Sequence, residues 1–182
     1  DLKKILWSIF EVAETVIIAV VAVFIVRSFI TQPFLVSGSS MEPSFKNGNY
    51  LLVDELTYRF RAPERGEVVV FKYPNDTNSY FIKRIIGLPG EMVRTGGGQV
   101  EVLKKDGKMI ALNESYVSRE SQGAEMEKTL AAGEYFVMGD NRDFSFDSRS
   151  WGPLPEDDLV GVVRFRLWPF NEAMAFSAPA YR

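Results

Sequence analysis

Ser40 stands where an apolar run, Pro33-Phe34-Leu35-Val36, breaks into Ser37-Gly38-Ser39-Ser40 ahead of Met41-Glu42-Pro43. A hydroxyl at such a strand-to-turn junction is exposed, and neighbouring backbone N–H groups can converge on one point. A serine nucleophile with an oxyanion hole needs both features. The same residues also make an ordinary polar turn. A second candidate is Lys83, which with Arg84 interrupts the apolar run from Tyr80 to Ile86. Consecutive strand residues point to opposite faces, so one of the two cations must turn to the core side. A buried ammonium takes a partner or gives up its proton easily, and a neutral lysine is a competent general base. At a strand edge both side chains would instead reach solvent. The third candidate is the polar segment from Gly139 to Gly152, dense in side chains that bond locally. There Ser145 could orient a lysine, and Asp147 and Arg149 could pair to hold the loop. A merely solvated turn leaves its ending in Trp151-Gly152 unexplained.

Two absences narrow the chemistry. The 182 residues include no Cys and no His. Cysteine nucleophiles, disulfides, thiolate zinc sites, His-ligated metals and a Ser-His-Asp triad are therefore excluded. A hydrolase built from this chain must take its base from Lys, Asp, Glu, Tyr or an α-amino group. No clustered acidic motif suggests a carboxylate metal site, so no metal and no cofactor is expected. The balance of 21 basic and 24 acidic residues, net −3, carries no basic patch, and nucleic acid is not an expected partner.

The elements that must position these residues fall into two regions. From Ile5 to Ile30 the chain is strongly apolar, and Val16 to Val26 has no polar side chain. Extended back to Ile5, the stretch reaches roughly 33 Å as a helix, enough to span a bilayer. Glu11 and Glu14 fall in its first half, where they could sit near one headgroup layer. A buried core helix or a cleaved targeting peptide are the alternatives, although Arg27-Ser28-Phe29-Ile30 is a poor cleavage site. Lys3 and Lys4 before the stretch, against Arg27 after it, favour a cytoplasmic N-terminus. From Phe34 onward the pattern becomes period two, with strands at Tyr50–Val53, Val68–Phe71, Tyr80–Ile82, Tyr135–Met138 and Leu159–Leu167. Val100–Leu103 and Met109–Leu112 flank the hairpin signal Asp106-Gly107. The expected organisation is an N-terminal membrane anchor over residues 1–31 and a mainly β domain over 32–182. A more polar, Gly-rich insertion at about 96–132 would cap the main sheet.

Together the three polar segments resemble the type I signal peptidases, the bacterial leader peptidases of Ser-Lys type. The family's Ser-Met-x-Pro stands as Ser40-Met41-Glu42-Pro43, and its Lys-Arg-x-x-Gly-x-Pro-Gly as Lys83 to Gly90. Its Gly-Asp-Asn-Arg and Ser-x-Asp-Ser-Arg-x-Trp-Gly boxes stand as Gly139 to Arg142 and Ser145 to Gly152. The resemblance implies that Ser40 is the nucleophile, Lys83 the base, and Ser145 a hydrogen-bonding partner that orients Lys83. Asp147 and Arg149, with Arg84, would brace the site. The Ser40 N–H would be one oxyanion donor. Where some members carry a second serine this chain has Gly38, leaving Ser37, Ser39 or a backbone group as candidates for the other donor. Phe34, Val36, Val70, Phe81 and Ile82 match positions lining small apolar pockets for the substrate's −1 and −3 residues. The implied fold is two antiparallel sheets with an apolar surface resting on the membrane, and a single anchor as in Gram-positive-type members. The implied activity is removal of signal peptides from exported preproteins after Ala-x-Ala, through an acyl-enzyme, on the outer side of the plasma membrane. Two other readings are a soluble repressor-type Ser-Lys peptidase, against which the anchor argues, and a silent tethered module that only binds export substrates. Ala178-Pro179-Ala180 looks like a processing site but contains a proline and is common by chance.

Overall fold

A computed structural model describes residues 2–29, 31–117, 125–179 and 181. Ile30, the segment 118–124 of the expected cap, and Ala180 of the Ala178-Pro179-Ala180 sequence lie outside the described residues. The N-terminal apolar stretch is one helix, α1 (Leu2–Phe29). From Leu6 to Phe24 it has a mean hydropathy of 2.1, and none of it is buried against the rest of the protein. A core helix of a soluble fold would be covered, so this helix presents its apolar side chains all round, as a segment solvated by lipid does. Trp7 Nε1 donates to Glu11 Oε1 at 2.9 Å, which partners one carboxylate within the helix itself.

The remainder is mainly β, in two antiparallel sheets. Its strands are β1 (Thr31–Leu35), β2 (Tyr50–Asp54), β3 (Val68–Tyr73), β4 (Asp76–Gly87), β5 (Met92–Gly96) and β6 (Gln99–Leu103). They continue with β7 (Met109–Ala111), β8 (Met126–Thr129), β9 (Glu134–Met138), β10 (Leu154–Pro155), β11 (Leu159–Trp168) and β12 (Met174–Ala175). The larger sheet runs β1-β2-β11-β3-β4-β9-β10, with β12 on β11, and the smaller runs β7-β6-β5-β8. The small sheet therefore includes β5 and begins before residue 96. The Gly96–Gly97–Gly98 cluster that suggested a boundary in sequence is the turn inside its first hairpin. The only α-helix described after residue 30 is the single turn α2 (Ser148–Trp151).

β4 is the strand on which the site depends. It lies inside the large sheet, between β3 and β9, with Lys83 opposite Val69 and Arg84 opposite Val68 and Met138. Three apolar clusters surround it. One, with Met41, Phe45, Leu51 and Val163, lies beneath the turn after β1. A second, with Ile86, Val93, Val102 and Phe136, fills the space between the two sheets. The third, with Phe71, Ile85, Tyr135 and Leu154, supports the loop after β9 from behind. Large apolar side chains are left uncovered where β1, β2 and β11 meet, at Leu35, Tyr50, Phe165, Leu167 and Trp168, and on the following turn at Phe170. Phe136 is fully buried between the sheets. Phe136→Ala should therefore cost about 3–5 kcal/mol, read as a lowered urea midpoint for unfolding of the β domain.

Candidate active site

Ser40 is held at the tip of a turn whose two ends are fastened to the core. Val36 N donates to Asn49 O and Gly48 N to Val36 O, both at 2.9 Å, closing the loop at its neck. Met41, directly after Ser40, is 1% exposed and Phe45 is fully buried, so the turn is pinned from below by apolar packing. Gly38 has φ +95°, a left-handed conformation that a serine would adopt only with strain. Its N–H donates to Asn47 Oδ1 at 3.0 Å. Asn141, from the loop after β9, takes hold of the same turn. Its backbone N donates to Ser40 O at 3.0 Å and its Nδ2 to Ser39 O at 3.1 Å. No bond from the Ser40 N–H is found among the described residues.

Lys83 reaches this turn from β4. Its Nζ lies 2.8 Å from Ser40 Oγ and 2.9 Å from Ile82 O. The residue is 4% exposed. Burial pushes the amine's pKa down to about 8, against the opposing pull of the Asp147 and Asp140 carboxylates. Sequence reasoning required one of Lys83 and Arg84 to face inward, but both are buried. Arg84 points to the opposite face and forks onto Asp140, Nε to Oδ1 at 2.8 Å and Nη2 to Oδ2 at 2.6 Å, while its Nη1 donates to Gly66 O at 2.8 Å. Burial alone would make Arg84 easier to deprotonate, and the Asp140 bonds outweigh it.

The loop from Gly139 to Gly152 completes the cluster. Arg149 clasps Asp147 through Nε to Oδ1 at 2.9 Å and Nη2 to Oδ2 at 2.8 Å. Asp147 also accepts from Gly139 N at 3.0 Å. Burial works to raise the Asp147 pKa, but the Arg149 bonds and charge hold it below the usual carboxylate range. A side chain at Gly139 would come within 2.2 Å of Ser145 Oγ and 2.4 Å of Ser40 O, so only glycine lets Ser145 and Ser40 approach from either side. The bond from Ser145 to Lys83 that the resemblance implies is not made: Ser145 Oγ is buried, lies against Gly139 and has no hydrogen-bond partner among the described residues. Arg84 is paired with Asp140, separately from the Asp147–Arg149 pair. The role of Asp140 went unassigned in the sequence, as did that of Glu114, which chelates Arg142. Arg142 Nε in turn donates to Gly139 O at 3.1 Å.

An open cleft of about 340 Å³ begins at Ser40 and Lys83. All five pocket positions inferred from the sequence, Phe34, Val36, Val70, Phe81 and Ile82, line it. Leu51, Tyr80, Phe144 and Phe146 also line it. The two phenylalanines are visible in the sequence, alternating with Ser145 in the polar loop, and are 74% and 54% exposed. Among the described residues no group of three acidic side chains is placed to hold a metal. The arrangement can transfer a proton between a serine hydroxyl and a lysine amine at the mouth of an apolar cleft.

The family model described as signal peptidase, peptidase S26, matches residues 9–168. The chain is 38% identical over 165 residues to a probable signal peptidase I-2 of Synechocystis sp., covering 87% of this chain and 73% of that one. It is 36% identical over 185 residues to signal peptidase IB of Staphylococcus aureus strain COL, covering 93% of each. A crystal structure of a signal peptidase I from Enterococcus faecalis V583 aligns with a TM-score of 0.48 at 28% identity, over 56% of this chain and 97% of that one.

Removing one member of a buried ion pair leaves the other uncompensated, typically costing about 3–5 kcal/mol. Asp140→Asn should lose stability of that order, seen in equilibrium urea unfolding at neutral pH.

Proposed function

The chain belongs to the signal peptidase family, peptidase S26, whose members cleave signal peptides from preproteins, and on that premise we propose how its own residues carry out the cleavage. Ser40 Oγ attacks the carbonyl carbon of the residue before the scissile bond, and its proton passes to the neutral Nζ of Lys83. The resulting oxyanion takes a hydrogen bond from the Ser40 N–H. Collapse of the tetrahedral species breaks the C–N bond, and the leaving amine of the mature chain takes the proton from Lys83. The signal peptide remains as an ester on Ser40. Water then attacks the ester, again yielding a proton to Lys83, and the released Ser40 alkoxide recovers it. The observation that carries this reading is the 2.8 Å contact between Ser40 Oγ and an amine whose pKa is pushed to about 8.

The cleft gives the specificity. Phe34, Val36, Val70, Phe81 and Ile82 leave room for small side chains at −1 and −3, where a larger one would be over-packed, which is an Ala-x-Ala preference. Membrane anchoring rests on the uncovered apolar surface of α1 and on the exposed apolar end of the large sheet, a patch that fits a lipid surface. With Lys3 and Lys4 in the first turn of α1, ahead of its apolar stretch, the N-terminus is cytoplasmic and the β domain lies on the outer side.

Ser40→Ala and Lys83→Ala should each lower kcat/KM for a preprotein by about a thousandfold or more. Below about pH 8 Lys83 holds its proton and cannot act as a base, so the rate should rise with pH through about 8 and then level. A rate governed by an acidic limb near the carboxylate range would contradict a lysine base. Chelators and thiol reagents should leave cleavage unchanged.

A further inference from the structure

We propose that Tyr116 and Tyr181 form a strap on the outside of the catalytic loop and act as positioning residues for Ser40, through Arg84, Asp140 and Arg142. The inference rests on Ser40 as nucleophile but concerns residues that line no part of the cleft. Asn141 holds the carbonyls of Ser39 and Ser40, so the placing of the nucleophile depends on where residues 139–142 sit. Two arginines fix that segment. Arg84 forks onto Asp140, and Arg142 holds Gly139 O while chelated by Glu114.

Both arginines meet at Tyr116. Its ring lies under the Arg84 guanidinium, 3.9 Å from carbon to ring centroid. Its hydroxyl donates to Glu114 Oε1 at 2.7 Å, the carboxylate that chelates Arg142. The Tyr181 hydroxyl lies 2.7 Å from the same oxygen of Tyr116, joining segments 65 residues apart. Pro179 and Tyr181 also press on Gly66, where an added Cβ would meet them at 2.7 and 2.8 Å. Gly66 O is the acceptor for Arg84 Nη1. The Arg84 guanidinium is thus enclosed by Asp140 at its edge, the Gly66 carbonyl at one corner and the Tyr116 ring on its face. A buried ion pair is rigid only when its remaining donors are satisfied and water is kept out. The strap supplies that enclosure from the connection leading to β8 and from the chain after β12.

The test is preprotein cleavage by the full chain in lipid vesicles, comparing wild type with Tyr116→Leu, Tyr116→Phe and Tyr181→Leu. Assays run well below each variant's measured unfolding midpoint. Tyr116→Leu should lower kcat about tenfold with KM little changed, the scale of a small misplacement of reacting groups. It should also move the pH of half-maximal kcat upward. Asp140, held less tightly by Arg84, then favours the ammonium of Lys83, which also faces Asp147, the Ser40 hydroxyl, the Ile82 carbonyl and the Phe81 ring. Tyr181→Leu should shift both quantities in the same direction, and Tyr116→Phe, which keeps the ring, should restore most of kcat and the pH midpoint. A folded Tyr116→Leu with wild-type kcat and pH midpoint overturns the proposal. So does a loss of kcat that merely follows the folded fraction at an unchanged midpoint. Cleavage surviving in Ser40→Ala would instead remove the nucleophile assignment beneath it.

Discussion

An amine buried beside a serine hydroxyl is the constraint around which the site is arranged. Lys83 is 4% exposed and faces two carboxylates, Asp140 and Asp147. Were either free, it would stabilise the ammonium and cancel the effect of burial. Neither is free: Arg84 occupies both oxygens of Asp140, and Arg149 both oxygens of Asp147. Each carboxylate still favours the ammonium, but with its oxygens engaged by its own guanidinium its pull falls short of the effect of burial. Dehydration therefore prevails, and the amine titrates near 8, close enough to neutrality to give up its proton. The two ion pairs act on the chemistry by keeping both carboxylates from bonding the Lys83 amine, whose partners are Ser40 Oγ and Ile82 O.

The same pairs hold the geometry. Asp140 and Asp147 lie on either side of the loop that carries Asn141 and Ser145, and Gly139 at the loop's start fits between Ser40 and Ser145. Three separate stretches of chain thus converge: the turn after β1, the inner strand β4, and the loop after β9. The turn is pinned by Met41 and Phe45 in one apolar cluster, and the loop rests on Tyr135, Val137 and Leu154 in another. β4 lies between β3 and β9 with hydrogen bonds along both edges. The small sheet adds a third cluster, and the chain between its β7 and β8 supplies Glu114 and Tyr116 at the back of the site.

Residues whose role follows from local pattern were legible in the sequence. An interrupted apolar run marks Lys83 and a Ser-Gly turn after a strand marks Ser40, whereas the cleft residues Phe34, Val36, Val70, Phe81 and Ile82 were named only through the family resemblance. Long-range pairing was not legible. Nothing local to Asp140 says that its partner is Arg84, 56 residues earlier, nor does Glu114 point to Arg142. The burial of both Lys83 and Arg84 follows from the same cause. Period two tells which faces they point to, but only the tertiary fold shows that both faces of β4 are covered. Ser145 was recognised by motif. Its hydroxyl nonetheless lies against Gly139 without a hydrogen-bond partner among the described residues, because its orientation depends on contacts across the fold.

The apolar surfaces bear on how a substrate arrives. Leu35 belongs both to the lining of the cleft and to the uncovered end of the large sheet. Phe144, Phe146 and Tyr80 continue the apolar rim on the other side of the opening. A signal peptide carries an apolar central region that suits a bilayer. If the sheet end rests on the lipid, as proposed, its chain passes from bilayer to cleft across apolar contacts without a full transfer through water. Each methylene kept from water on that path is worth about 0.8 kcal/mol, so even a short apolar rim contributes usefully to capture. In the proposed mechanism the polar machinery then has only to recognise the small side chains next to the bond and move one proton, which suits a catalytic set as spare as the proposed serine and lysine.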